Sequence, residues 1–316
     1  ADRVKMPLAF YAKLEAGIAV LSAITPFILD AGRSVYLGFG GTLVLGMFMG
    51  TVVRMIISVI VFIGPTFLMG GTLPAAARAA RSMADVSNKN LALLYGANTL
   101  GAVAGVVLST FYLLEILGNR RTLWIACLIN VFVFVLARSQ SRKIEAGNDA
   151  EVVTEQRSMV KTDEPLPHGT LVSAPGWFIL LAAAVSGFVF FLMEIVWYRM
   201  LGPIMGGTTF TFGTILAVAL LGIGIGGILY SLKPNRLPSL SSFAWTCALE
   251  ALFLIIPYAL GDRIAEAALA LRTFGVFGFW GYVAGWAFIA MVVVFPVSII
   301  AGYQFPLLIS LLNPQD

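Results

Sequence analysis

Residues 64–81 read GPTFLMGGTLPAAARAAR, which sets two prolines and a glycine pair inside an apolar run long enough to cross a bilayer. Proline removes a helical N–H and crowds the carbonyl one turn back, so Pro65, Gly70, Gly71 and Pro74 predict a helix that bends or partly unwinds. Backbone freed at membrane depth is tolerated only against protein or beside a water-filled cavity. Two readings follow: a broken helix beside a central cavity, or a kink that serves packing and binds nothing.

Composition places the whole chain in a membrane. Of 316 residues, 59% are hydrophobic and 11% charged, and the mean hydropathy is +0.93, far from soluble globular averages. A hydrocarbon core about 30 Å thick needs roughly 20 apolar residues per helix. Eight such spans can be laid down, at 8–31, 52–77, 91–114, 120–138, 176–200, 207–232, 242–260 and 280–312. The stretch VYLGFGGTLVLGMFMG, at 35–50, either forms an interfacial or re-entrant helix or shifts the start of the second span. The two-residue alternation of a barrel strand is absent, so the expected fold is an all-α integral membrane protein. Cys127 and Cys247 stand alone inside apolar spans and the one histidine, His168, lies in a polar segment. Neither a disulfide framework nor a metal site is expected.

One shift in composition divides the chain. Residues 139–175, SQSRKIEAGNDAEVVTEQRSMVKTDEPLPHGTLVSAP, are polar, mixed in charge and poor in large apolar side chains. They predict a solvated, mobile linker between a first half at 1–138 and a second at 176–316. Alternate loops counted from the N-terminus hold twelve lysines and arginines, among them Arg78, Arg142 and Lys233, against six in the intervening loops, among them Arg33, Arg120 and Arg263. Positive residues stay on the cytoplasmic side, which puts the linker and both ends of the chain in the cytoplasm. The net charge of +4 is then a topology signal, and no basic soluble face suited to nucleic acid is present.

An internal repeat answers part of the opening question. KLEAGIAVLSAITPFILDAGR, from Lys13, matches ALEALFLIIPYALGDR, from Ala248: Leu-Glu-Ala, an apolar run with a proline, then Asp and Arg. Further on, GPTFLMGGTLP, ending at Pro74, matches PVSIIAGYQFP, ending at Pro306, each with glycine four residues before the final proline. Glu15 and Pro74 are 59 positions apart, Glu250 and Pro306 are 56. The breaker-rich helix is therefore a repeated element, with Gly302 and Pro306 in its second copy. Two spans precede the second copy and two follow the first. Completing both units gives two parallel repeats of six helices, of which this segment holds about eight of twelve: the second and third helix pairs of repeat 1, then the first and second pairs of repeat 2. That is the plan of major facilitator transporters, and the segment reads as part of a longer chain.

Four blocks extend this plan to a family. ADRVKMPLAFYAKLEA, PTFLMGGTLPAAARA, LYGANTLGAVAG and SGFVFFLMEIVWYRMLGPIMGGTTFTFGTILAVALLGIGIGG resemble, in order, the membrane region of bacterial fused proteins called membrane-bound spermidine synthases. In these a major-facilitator-like domain precedes a cytoplasmic domain similar to polyamine aminopropyltransferases. The resemblance implies an inner-membrane location, a fused or associated aminopropyltransferase-like domain, and decarboxylated S-adenosylmethionine as that domain's co-substrate. No cofactor is expected in this chain itself. GIGIGG, at 222–227, lies inside an apolar helix with no preceding strand and no acidic residue at ribose spacing, so it is not a nucleotide loop. Gly222 and Gly226, one turn apart, predict close helix packing, as do Ala97, Gly101 and Gly105.

Intramembrane charges are the candidate site. A carboxylate at helix-centre depth costs on the order of 2.5 to 3.5 kcal/mol on insertion scales. Glu15 and Glu250 are repeat-related, and Glu194 lies mid-span with Trp197 and Arg199 close by. For a flexible polycation such as a polyamine, Glu15, Glu194 and Glu250 would supply negative charge and Trp197 a cation–π face. The alternative is structural: Glu194 pairs with Arg199, and the other two bond to loop backbone or basic residues. Asp2, Arg3, Asn235 and Arg236 occupy the loops in which major facilitators carry a gating Asp-Arg motif, with Asn replacing Asp in the second copy. Three functions compete at this level: the membrane domain of an aminopropyltransferase-like protein, a structural or assembly subunit of a membrane complex that has lost transport and catalysis, and a small-molecule transporter.

Overall fold

The structure, a computed structural model, describes residues 6–83, 88–152, 175–232 and 239–312. Of these, 96% are helical and none is in a strand. The helices are α1 (Pro7–Gly38), α2 (Gly41–Met83), α3 (Asn88–Leu108), α4 (Leu114–Val152), α5 (Gly176–Met205), α6 (Thr209–Leu232), α7 (Leu240–Ala259), α8 (Gly261–Leu271), α9 (Phe279–Val293) and α10 (Phe295–Leu312). A π turn, Ser109–Leu113, joins α3 to α4, and a 3-10 turn, Arg272–Phe277, joins α8 to α9.

Among the described residues, seven helical runs are long and apolar enough to cross a membrane. One of them, Leu93–Ile144, has 52 residues, roughly 78 Å at 1.5 Å per residue and too long for a single crossing. Gly118, at φ 72° and ψ 173°, interrupts it, so two of the expected spans lie in this one run. The stretch 35–50 holds a short helical segment, 41–45, set apart from the rest of α2 by a kink. A turn at Phe39–Gly40 ends α1 and α2 starts at once, with Gly46 (φ 71°) breaking its first turns. The polar segment also differs from expectation, because α4 runs on to Val152. Its residues 140–146, QSRKIEA, are mostly good helix formers, which extend a helix already nucleated in the membrane.

The chain packs as two units, Ala1–Asp85 with Leu117–Pro167, and Val86–Ile116 with His168–Asp316. In the first, α1 and α2 form an antiparallel hairpin held by side chains seated on glycine. A Cβ on Gly17 would meet Leu68, one on Gly64 would meet Leu21, and one on Gly71 would meet Leu14. At the hairpin's turn end, Arg120 pairs with Asp30 at 2.6 Å and lies over the Phe27 ring, 5.7 Å from its centroid. Arg54, on α2, folds back along its own helix to the Gly50 carbonyl and the Thr51 hydroxyl.

In the second unit α6 is the axis: 56% of its most apolar window is buried, against 6% for α5 and 17% for α7. Its start is set by a turn, in which Gly206 (φ 99°) donates to the Gly202 carbonyl and closes α5 while the Thr208 hydroxyl accepts from the Thr211 N–H. α6 then meets two helices backbone to backbone. On α3, Gly96 faces Gly224 and Ile228, and a Cβ on Gly213 would run into Thr110 of the π turn that follows α3. On α10, a Cβ on Gly222 would strike Ser298, one on Gly226 the Ile299 carbonyl, and one on Gly302 the Ile223 carbonyl. Tyr230 donates to Ser310 at 2.7 Å across the same pair. The expected packing role of Gly222 and Gly226 is thus what the structure has. Ala97, Gly101 and Gly105 differ: all three are exposed, and nothing lies within 4 Å of a Cβ at either glycine, because α3 turns its Gly96 and Leu100 face to α6 instead. The main core gathers Trp197 and Leu201 from α5, Ile215 and Val218 from α6, Ile264 from α8, and Ile289 and Val293 from α9.

Replacing Gly226 with leucine forces a side chain against the Ile299 carbonyl, a backbone atom that cannot rotate away. Thermal unfolding in detergent should show a loss of 1 kcal/mol or more, in the range of ~1–3 kcal/mol for overpacking. Gly105→Ala should unfold like wild type.

Candidate functional site

The breaker-rich segments, expected to bend or partly unwind their helices, do not unwind them. Helical backbone runs unbroken through Pro65, Gly70, Gly71 and Pro74 in α2 and through Gly302 and Pro306 in α10. The reason lies in what the glycines face: Gly71 seats Leu14, and Gly302 abuts the α6 backbone. A proline in a helix held in this way loses one bond and bends it without unwinding it. The actual interruption in the second copy falls at Val294, between α9 and α10 and two residues ahead of Pro296. There the Ser298 hydroxyl donates back to the Val294 carbonyl at 2.9 Å.

The two repeat-related glutamates are both buried, each 8% exposed. Glu250, on α7, accepts a 2.8 Å hydrogen bond from the Gln304 side-chain amide of α10. Gln304 is 2% exposed and its amide nitrogen also lies 3.9 Å from Cys247 Sγ. Gln304 is the functional-looking residue that sequence reasoning passed over. Its signal was an amide between Gly302 and Pro306 in AGYQFP, inside an otherwise apolar span. In the first copy the corresponding residue is Thr72, whose hydroxyl returns to the Met69 carbonyl of its own helix. Glu15 has Tyr11 instead as its polar neighbour, one turn earlier on α1. The position matching Tyr11 in the second copy is Thr246, whose hydroxyl bonds the Phe243 carbonyl. Each copy therefore supplies its glutamate with one polar side chain, from a different helix in each case.

Glu194 is placed otherwise. Phe190, Glu194, Trp197 and Leu201 recur at helical spacing on the core-facing side of α5, while Phe191 and Ile195 point outward, 68% and 63% exposed. Glu194 is half-buried and makes no hydrogen bond or ion pair with any described residue; the expected structural pairing with the exposed Arg199 is not formed. Trp197 is 2% exposed and closed into the core, edge-on to Phe190 at 6.0 Å, so its ring face is not open to a cation. Asp2, Arg3, Asn235 and Arg236, the gate-like loop residues, lie outside the described residues. Among the described residues no group of three His, Cys, Asp or Glu could hold a metal ion.

No protein-family model, curated protein or solved structure matches the chain. The resemblance to membrane-bound spermidine synthases therefore rests on the four sequence blocks alone.

Removing Gln304's amide leaves a buried carboxylate without its donor, which costs about 1–3 kcal/mol. Gln304→Leu should lower the unfolding temperature in detergent, and Gln304→Leu combined with Glu250→Leu should recover part of that loss, since replacing both partners by apolar groups removes the unmet polar group. Loss in the double variant equal to the sum of the single losses would show that the two side chains act independently.

Proposed function

We propose that this chain is the membrane-embedded domain of a spermidine synthase-like protein in the bacterial inner membrane. It has a major-facilitator-like plan of two parallel repeats, with its polar linker and both ends on the cytoplasmic side. In this reading it anchors or serves an aminopropyltransferase-like domain, fused or associated, whose co-substrate is decarboxylated S-adenosylmethionine, and it meets that domain's polyamine within the membrane.

The observation that carries the proposal is Glu194. A carboxylate in the middle of a span, on the core-facing stripe of α5 and without a partner among the described residues, is costly unless something cationic reaches it. The primary amines of putrescine and spermidine supply such charge through short, charge-assisted N–H···O bonds. Glu250 and Glu15 add negative charge in their own units, Glu250 already holding a protein donor. Trp197 is withdrawn from this role and acts as a core residue that fixes the face on which Glu194 stands.

A second reading, a structural or assembly subunit of a membrane complex, has one specific observation behind it. The Glu250–Gln304 bond is buried, as a pair that fixes the approach of two helices would be. The third expectation, a transporter unrelated to polyamines, has no observation of its own.

Calorimetric titration of the purified full-length protein with spermidine and putrescine separates these. Saturable binding that Glu194→Gln weakens at least tenfold, about 1.4 kcal/mol, is the expected result. Absence of heat, or binding indifferent to the substitution, removes the polyamine role and leaves the structural subunit as the better reading. Glu250→Gln should unfold close to wild type and leave that binding intact if its carboxylate serves only the helix contact.

A further inference from the structure

The segment between α7 and α9 takes no part in the carboxylate sites, yet it is built with unusual polarity. α8 buries Ile264 and Ala268 in the core around Trp197 and turns Asp262, Arg263 and Glu266 outward, with Arg263 donating to Glu266 at 3.1 Å. The 3-10 turn that follows presents Phe274, Val276 and Phe277 at 44%, 88% and 76% exposure before Gly278 (φ 78°) leads into α9. Between this turn and α9 lies an apolar groove of about 420 Å³, lined by Leu271, Phe274, Ala284, Gly285 and Phe288. That is within the roughly 300–1,000 Å³ of ordinary small-ligand sites. A narrow continuation, which shares Leu271 and Gly285, is bordered by Arg272 and Tyr282.

We propose that this groove seats one acyl chain of an anionic phospholipid whose phosphate is held by Arg272. The groove offers no polar partner that would hold water, and Phe288 and Val292 beside it on α9 are 58% and 53% exposed, as lipid-facing residues are. Ala284 to Phe288 lie five to nine residues into α9, roughly 8–14 Å below its start at 1.5 Å per residue. Trp280 and Tyr282 mark the level above them, where aromatic residues concentrate at membrane interfaces. Arg272 sits at that end. Its guanidinium donates to the Ile204 carbonyl at 3.4 Å and has no carboxylate partner among the described residues, since the neighbouring Glu266 is engaged by Arg263. Its other N–H groups are free to fork onto phosphate oxygens. Small residues at 284 and 285 leave the volume for the chain, and Phe274 and Phe288 flank it.

The test is native mass spectrometry of the delipidated full-length protein titrated with phosphatidylglycerol and phosphatidylcholine. One phosphatidylglycerol is expected to bind saturably and more tightly than phosphatidylcholine. Arg272→Gln should weaken phosphatidylglycerol at least fivefold and erase that preference, and Ala284→Phe, which fills the groove, should abolish the bound lipid. Gly285→Ala adds a carbon 3.4 Å from Leu271 and should weaken binding in the same direction where Ala284→Phe is not recovered folded. Leu128→Phe, on the exposed face of α4, should change nothing. Retention that is equal for both lipids, or unaltered by Arg272→Gln and by both groove substitutions, overturns the proposal and marks the lipid as annular only.

Discussion

Hydrocarbon offers no water to exchange for, so helices in it are not driven together by burial of apolar surface. What remains is close approach, and in this chain close approach is made by glycine. Gly222 and Gly226 of α6 and Gly302 of α10 let two backbones touch where an added side chain would collide with the facing helix. The consequences spread from that seam. With α10 fixed against α6, Gln304 is carried to Glu250 of α7, and Tyr230 to Ser310. The remaining side of α6 then takes α3 through Gly96 and Gly224. α6 is the most buried of the spans for this reason, in spite of having hardly a bulky residue along its glycine positions.

The same logic explains why prolines and glycines that look like breakers leave the helix whole. A sequence reading weighs Pro65, Gly70, Gly71 and Pro74 by intrinsic cost, which is real in an isolated helix. In the hairpin of α1 and α2, Gly64 and Gly71 are the seats of Leu21 and Leu14 from the other helix, and that packing holds the geometry. Sequence alone reports that glycine is present. It does not report whether the missing Cβ is wanted for φ freedom, as at Gly46, Gly118 and Gly206, or for room, as at Gly71 and Gly302.

Spans and fold class were legible because hydropathy over about 20 residues needs no partner to be interpreted. The packing faces were legible in part. Spacing of four identified Gly222 and Gly226 correctly, but applied equally to Ala97, Gly101 and Gly105, which are exposed. Periodicity defines a face and leaves open what lies opposite. The end of α4 was missed for a related reason: polar composition at 139–152 signals solvent, and a helix that leaves the membrane can continue into solvent when its residues favour helix. At the site, Glu15, Glu194 and Glu250 stood out by depth, whereas Gln304 is uncharged and drew no attention. Trp197 was read by chemistry as a cation's partner, and its burial was invisible without the positions of Phe190 and α9.

The two copies of the repeat hold their glutamates by exchanged means, and this bears on which carboxylate is free to act. In the second copy the donor is Gln304, from the breaker-rich helix, and the residue one turn before the glutamate is a self-bonded threonine. In the first copy the polar neighbour is Tyr11, one turn before, and the residue on the breaker-rich helix is the self-bonded Thr72. A polar side chain stands beside each glutamate while its source differs, as a requirement for a satisfied buried carboxylate would have it. It is not what a requirement for a particular ligand geometry produces, because a ligand would hold both donor and direction constant. Glu194 has no such counterpart and no donor among the described residues, so the buried pair at Glu250 belongs to the architecture and the open carboxylate at Glu194 is where function is to be sought.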